Sequence, residues 1–356
     1  MRSSVPSSRA ALYAASLAAI ALTTPAWSHH SDAALDMTEI VSFEGTVKAF
    51  AWQNPHAYFT VEVASANGEP IEWTVQLPST ITMSRRGWSR DTLAAGDQVS
   101  VSVHPARDGR RYGLFQSIEK ADDAAASLAF DRTSGELRFE NTAPAARTST
   151  LDGKWLADNE KLSGFAGGLD NITRTLLKLT PAGAAAMAAY DENSDENPEL
   201  QCLARPTPAM LIYTNIYPIE IEIQEESDTI AIRGQFFDEQ RIVHMDGRTH
   251  PPDSVRFHEG HSIGAWENDT LVVDTRNFAD HRSPYQNGIP SGAEKHVIER
   301  YRLIADGTRL LVEFMLEDPE YIAEPMTHAR ELIYSPQIEM VPFNCDLEVT
   351  RRFLPQ

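Results

Sequence analysis

From residue 219 onward, short runs that alternate apolar and polar side chains are separated by turn-forming residues, and this rhythm constrains the fold more than any other feature. A period of two puts successive side chains on opposite faces of a strand. Runs at 219–224 and 229–235 flank a polar turn, and 241–245 ends at Asp246-Gly247. Runs at 261–266 and 270–275 flank Glu267-Asn268-Asp269, and runs at 296–304 and 309–316 flank Ala305-Asp306-Gly307-Thr308. A last strand is expected over 346–351. Such turns suit hairpins. Roughly eight strands joined this way predict an antiparallel, lipocalin-like barrel over residues 151–356, with a β-sandwich as the alternative.

A second, smaller unit precedes it. Runs at 43–52 and 56–63 alternate around Gln53-Asn54-Pro55, and 70–77 follows Ala66-Asn67-Gly68. Runs at 99–103 and 112–118 complete five strands. Ser79 is placed to cap one short helix over 79–86. The pattern predicts a mainly β chain whose first domain, 29–122, is a five-stranded barrel of the oligonucleotide/oligosaccharide-binding type. Residues 123–150, rich in Ala, Thr and Ser, read as a linker or as a strand pair crossing between domains. Thr180 followed by Pro181 marks a helix start.

Residues 1–28 read as a signal peptide. Arg2 and Arg9 make a basic start, 10–22 is apolar but too short for a comfortable span, and Ala26-Trp27-Ser28 offers a cleavage site. The expected mature chain starts at His29 and is periplasmic or secreted. No later run approaches the ~18 apolar residues of a membrane helix, so no integral membrane association is expected. With 51 acidic against 31 basic residues, the formal charge of −20 repels nucleic acid and suits a neutral or cationic small-molecule ligand. In an oxidising compartment the two cysteines, Cys202 and Cys345, are expected to form a disulfide tying the start of the larger domain to its end; two buried free thiols are the alternative.

The chemistry-bearing residues crowd into one stretch. His244, Asp246, Arg248, His250, His258, His261, Glu267 and Asp274 fall within 35 residues. Strand parity groups His261 with Ile263 and Ala265, sets Asp274 opposite Val273, and groups Glu299 with Val297, Tyr301 and Leu303. The expected site is enclosed. His261 or His281 would be the general acid or base, and Asp274 or Asp280 would orient it. Glu299 would supply a second carboxyl, and Arg248 or Arg300 would steady negative charge. Trp266, Tyr285 and Tyr301 would line it. The alternative is a structural rim, with Asp246-Gly247-Arg248 a turn closed by its own ion pair.

Metal readings are narrower. His258 and His261 are three apart without a third ligand. A mature chain opening at His29 would offer an amine and an imidazole to Cu(II), and His56 or His104 would complete three nitrogens, with His30 a rival ligand. No Gly-rich nucleotide motif or serine-hydrolase elbow is present, so no organic cofactor is expected.

The residues His29-His30-Ser31, Gly45-Thr46-Val47, Asn54-Pro55-His56-Ala57, Trp73, Arg86-Gly87-Trp88 and Gly96-Asp97-Gln98-Val99 resemble a family of exported bacterial proteins of unknown function. Met245-Asp246-Gly247-Arg248, His250-Pro251, Gly260-His261-Ser262-Ile263-Gly264, Trp266-Glu267, Asp269 to Thr275, Glu299-Arg300-Tyr301 and Asp318-Pro319 resemble a companion family, departing from it at Ala265 and Asn268. The resemblance spans most of the mature chain and implies no particular activity. The residues lead to an enzyme that binds a mostly apolar terpenoid, steroid or aromatic in the larger barrel and acts by acid–base chemistry, as a lyase, isomerase or hydrolase. The alternatives are a non-catalytic binding protein, for copper or a lipophilic ligand, and a structural envelope protein.

Overall fold

The computed structural model describes residues 35–65, 68–121, 123–129, 146–158, 176–191, 193–212, 217–283 and 288–352. The first barrel is built from β1 (Val41–Ala51), β2 (Tyr58–Val63), β3 (Ile71–Gln76), β4 (Gln98–Pro105) and β5 (Tyr112–Lys120), hydrogen-bonded in the order β3-β2-β1-β4-β5. A parallel pairing of β3 with β5, Thr74 opposite Tyr112, closes the ring. Val47, Phe59, Val61, Val75, Val101 and Phe115 fill it. Helix α1 (Thr80–Ser84) starts at Ser79, whose hydroxyl accepts from the Thr82 amide at 3.2 Å. The stretch expected as linker opens with a strand, β6 (Asp123–Ala129), which extends the sheet beyond β5.

The larger barrel is closed and mainly antiparallel, which rules out a sandwich. It has nine strands: β7 (Gly153–Ala157), β8 (Ile219–Gln224), β9 (Thr229–Gly234), β10 (Glu239–His244), β11 (His261–Glu267), β12 (Thr270–Arg276), β15 (His296–Ile304), β16 (Arg309–Glu317) and β17 (Met326–Tyr334). The short ribbon β13 (Arg282–Ser283) and β14 (Ile289–Pro290) lies outside the ring. Three expectations are corrected. Residues 346–351 form no strand; Val349–Arg351 is a 3₁₀ turn. β7 and β17 are the strands missed. β17 hides its alternation because the residues it turns inward are Met326, His328, Arg330 and Leu332, two of them polar.

The third correction follows from the count. Strand direction cannot alternate all the way around a ring of odd number, so at least one pairing must be parallel. That seam is β10–β11, where Val243 faces Ser262 and His244 faces Ile263. Parallel neighbours need a crossover, and residues 245–260 supply it. Gly264 sits where a Cβ would meet the Met245 sulfur at 2.5 Å and Val243 at 2.7 Å, so only glycine lets the strands approach here.

Cys202 and Cys345 form the expected disulfide, with Cα atoms 5.7 Å apart. It anchors the C-terminal segment where that segment meets the first barrel. Asn54 bridges to Cys345, and Phe343 packs with Ile81, Tyr217 and Phe237. Helix α2 (Pro181–Ala189) is capped by Thr180 as expected, through the Gly183 amide at 3.1 Å. Among the described residues no helix is long and apolar enough to cross a membrane.

Candidate functional site

The polar segment divides by strand parity into an inner and an outer set. Glu239, Arg241, Ser262, Thr275, Glu299 and Tyr301 point into the barrel and are buried. Arg241 grips Glu299 with both ends of its guanidinium, at 2.6 and 2.7 Å, and donates to the Tyr301 hydroxyl at 2.8 Å. That hydroxyl donates to Glu299 at 3.0 Å. Burial opposes the charge on Arg241, but the Glu299 carboxylate outweighs it and holds the guanidinium charged. Burial, then Glu299, pushes the Tyr301 phenol far up. Glu299 and Tyr301 are thus enclosed, as expected, but engaged with Arg241, a partner the sequence reading overlooked.

His261 and Asp274 do not share that interior. They lie on the outer wall with His244 and His296. His261 reaches Asp274 only through His250: Nδ1 to Nδ1 is 3.0 Å, and His250 Nε2 to the Asp274 carboxylate is 3.3 Å. His296 Nε2 lies 3.0 Å from the same oxygen. The His244 ring stacks on His261 at 5.1 Å. The other outer residues are also corrected. Arg300 pairs with Glu267 at 2.7 Å in solvent. Arg248 clamps Asp246 at 2.6 Å and holds its carboxyl down at about 2, so this is the structural turn. Trp266 is 48% exposed.

His104 Nδ1 donates to the Glu39 carbonyl at 2.9 Å, and Nε2 lies 3.2 Å from the Gln116 side-chain oxygen. His56 Nδ1 lies 3.2 Å from the Leu77 carbonyl. His29 and Tyr285 lie outside the described residues, as does the whole signal-peptide segment. Among the described residues no three His, Cys, Asp or Glu side chains are placed to hold a metal ion.

The cavity that stands out is a cleft of about 480 Å³, lined by Glu196, His258, Asp280, His281, Arg282 and Tyr321 among others. The His258 and His281 rings stack at 4.3 Å, 12° from parallel. Burial pushes His281 down to about 4, so it is neutral at pH 7, with Nδ1 3.0 Å from the Arg282 carbonyl. Arg282 is spent on Glu196 at 3.1 Å and the Ala186 carbonyl at 2.7 Å. Asp280 forms no ion pair among the described residues.

Behind the cleft lies a buried carboxyl pair. Glu259 accepts from the Thr207 amide at 3.0 Å, and its other oxygen is 3.4 Å from His258 Nε2. Glu239 lies beyond it, against a void of about 10 Å³, room for one water. Burial, then the Glu259 charge, pushes Glu239 well above the ordinary carboxyl range, although Arg241 pulls the other way. Lys295, also buried, sits 4.3 Å over the Phe278 ring and is pushed down to about 8 by burial. Parity applied to β10 would have found Glu239. Nothing in the local pattern marks Glu259 or Lys295, which lie in connections.

The pair sets a pH dependence. Because its folded value is raised, Glu239 stabilises the fold while protonated, and that contribution falls as pH rises from its unfolded value through its folded one. Glu239→Gln keeps the neutral form at every pH. Its melting temperature is expected to exceed that of the wild type by a margin that widens between pH 5 and pH 8. Parallel curves for the two proteins would mean Glu239 is ionised throughout.

With this geometry in hand, comparison with known proteins adds little. The model for a family of unknown function, DUF6152, matches residues 17–116, which take in most of the first barrel. No curated protein matches the chain. Three solved chains match. One is the crystal structure of an asparagine-to-alanine mutant of the fluorescent protein UnaG, 13% identical over 39% of this chain and 86% of that one. Its TM-score of 0.22 is too low to carry an argument, and the fold assignment rests on the strand order.

Proposed function

We propose that the protein is an exported small-molecule binding protein whose ligand occupies the cleft beside His258 and His281. The supporting observation is the cleft itself, whose volume of about 480 Å³ falls in the range of small-molecule sites. Pro198, Leu203 and Pro290 share its wall with Glu196, Asp280 and His281. That mixture suits a molecule with an apolar body and a polar end, such as a terpenoid, steroid or aromatic alcohol or amine. The disulfide and the signal-like N-terminus support export.

The test is a thermal-shift screen of such compounds against the wild type and Leu203→Trp. Leu203 is 44% exposed, so a larger ring there fills the cleft without disturbing a core. A ligand at 100 times its Kd stabilises by about 2.7 kcal/mol. The variant should lose at least tenfold in affinity. Equal shifts in both proteins would place the ligand elsewhere.

A second reading, an acid–base enzyme, is favoured by one observation. Burial, then the neighbouring Glu259, favours the protonated form of Glu239, and Glu259 adjoins His258 at the cleft wall. Perturbed carboxyls of this kind suit general acids. Under this reading a bound ligand is turned over by lyase, isomerase or hydrolase chemistry. Glu259→Gln would abolish turnover while leaving the ligand-induced thermal shift in place; unchanged turnover would leave binding alone.

A further inference from the structure

We propose that the parallel seam between β10 and β11 is an acid-operated gate in the wall of the larger barrel, closed by the outer-wall histidines. The seam pairs only two residues on each strand, against three at β7–β8 and β7–β17 and nine at β15–β16. It is the barrel's shortest joint. Directly behind it, on the inner face, lie Arg241 and Ser262.

What the backbone lacks there, side chains supply from outside. His244 of β10 stacks on His261 of β11. His261 bonds His250 of the crossover, and His250 bonds Asp274 of β12. The clasp therefore ties both seam strands, the crossover and the next strand together.

The central bond depends on protonation. A hydrogen bond between two imidazole nitrogens needs one donor and one acceptor, so at least one ring must be neutral. With none or one of the two rings charged, the bond survives, because His250 can donate toward Asp274 while His261 faces its other nitrogen. With both charged, neither Nδ1 has a lone pair, and two cations 3.0 Å apart repel. His244, stacked on His261, adds a third charge when it titrates.

The surrounding charges do not cancel this. Asp246 and Arg248 from the turn after β10 neutralise each other. Asp274 from β12 is shared among His250, His296 from β15 and Arg276. Glu317 from β16 lies 3.4 Å from His296, away from the seam. One shared carboxylate faces two imidazoles and an arginine, with His261 and His244 beyond them. Burial is the first cause holding His244, His250 and His261 below their ordinary value, so the clasp is neutral and closed at pH 7. Their contribution to the closed state is present above the ordinary histidine value and is lost as pH falls through the folded values.

Hydrogen exchange read by mass spectrometry at pH 7.5 and pH 5.0, corrected for the intrinsic rate, tests the gate on the full chain. Protection of Val243, His244, Ser262 and Ile263 should fall at least tenfold relative to the β15–β16 hairpin. His261→Phe keeps a ring in the stack but cannot titrate, and should remove the acid effect. A uniform loss across the barrel, or an undiminished seam effect in His261→Phe, would overturn the proposal. Should that variant fail to fold, NMR titration of the wild-type imidazoles decides. His250 and His261 should titrate as a coupled pair in two steps; independent single steps near the ordinary histidine value would overturn it equally.

Discussion

Glu299→Ala should unfold the larger barrel under mild conditions, with a loss of about 3–5 kcal/mol. Glu299 is fully buried, and it is the carboxylate partner of an Arg241 that is itself 4% exposed. Removing it leaves a buried guanidinium with only the Thr275 and Tyr301 hydroxyls as acceptors among the described residues, and the Tyr301 hydroxyl can no longer donate to Glu299. The charge can neither reach water nor be given up, since an arginine stays protonated in proteins. Replacing all three partners together, Arg241→Met, Glu299→Leu and Tyr301→Phe, removes the stranded charge and should recover most of the loss. Urea unfolding followed by tryptophan fluorescence reads both proteins. A Glu299→Ala protein within about 1 kcal/mol of the wild type would show that water or a relaxed backbone solvates Arg241. The same result would reopen the interior as a place for ligand chemistry.

The second large effect is expected at the disulfide. Cys202 and Cys345 are separated by 143 residues, and closing a loop of that length stabilises by about 5 kcal/mol in the chain-entropy model. The bond also fixes the place where the C-terminal segment meets the first barrel, through the Asn54–Cys345 bridge and a 2.9 Å bond from Gln53 to Asp346. In Cys202→Ser/Cys345→Ser the urea midpoint should fall sharply. Proteolysis should then cut first in the freed segment after β17. A double mutant as stable as the oxidised protein would mean that the packing of Phe343 against Tyr217 and Phe237 holds the segment without the bond.

Much of the architecture was legible in local pattern. The caps at Ser79 and Thr180, the hairpins at 267–269 and 305–308, and the pairing of the two cysteines follow from short-range chemistry. The grouping of Glu299 with Tyr301 on one face was also correct. The candidate site was less legible. Glu239 on β10, Glu259 at the end of the crossover and His281 before β13 come from three separate segments, and only the tertiary structure sets the Glu239–Glu259 pair behind the cleft that His281 lines.

The amino-acid sequence alone determined which side chains share a face, because a strand's period of two is a local property of its backbone. It could not determine which face turns inward, because that depends on what the strand packs against. His261 and Asp274 were rightly assigned to strands and wrongly assigned to the interior for this reason. Nor could it determine the count of nine, since closure belongs to the ring and not to any one strand. From that odd count come the parallel seam, the crossover of residues 245–260, and the placement of His250 over His261 on the outer wall.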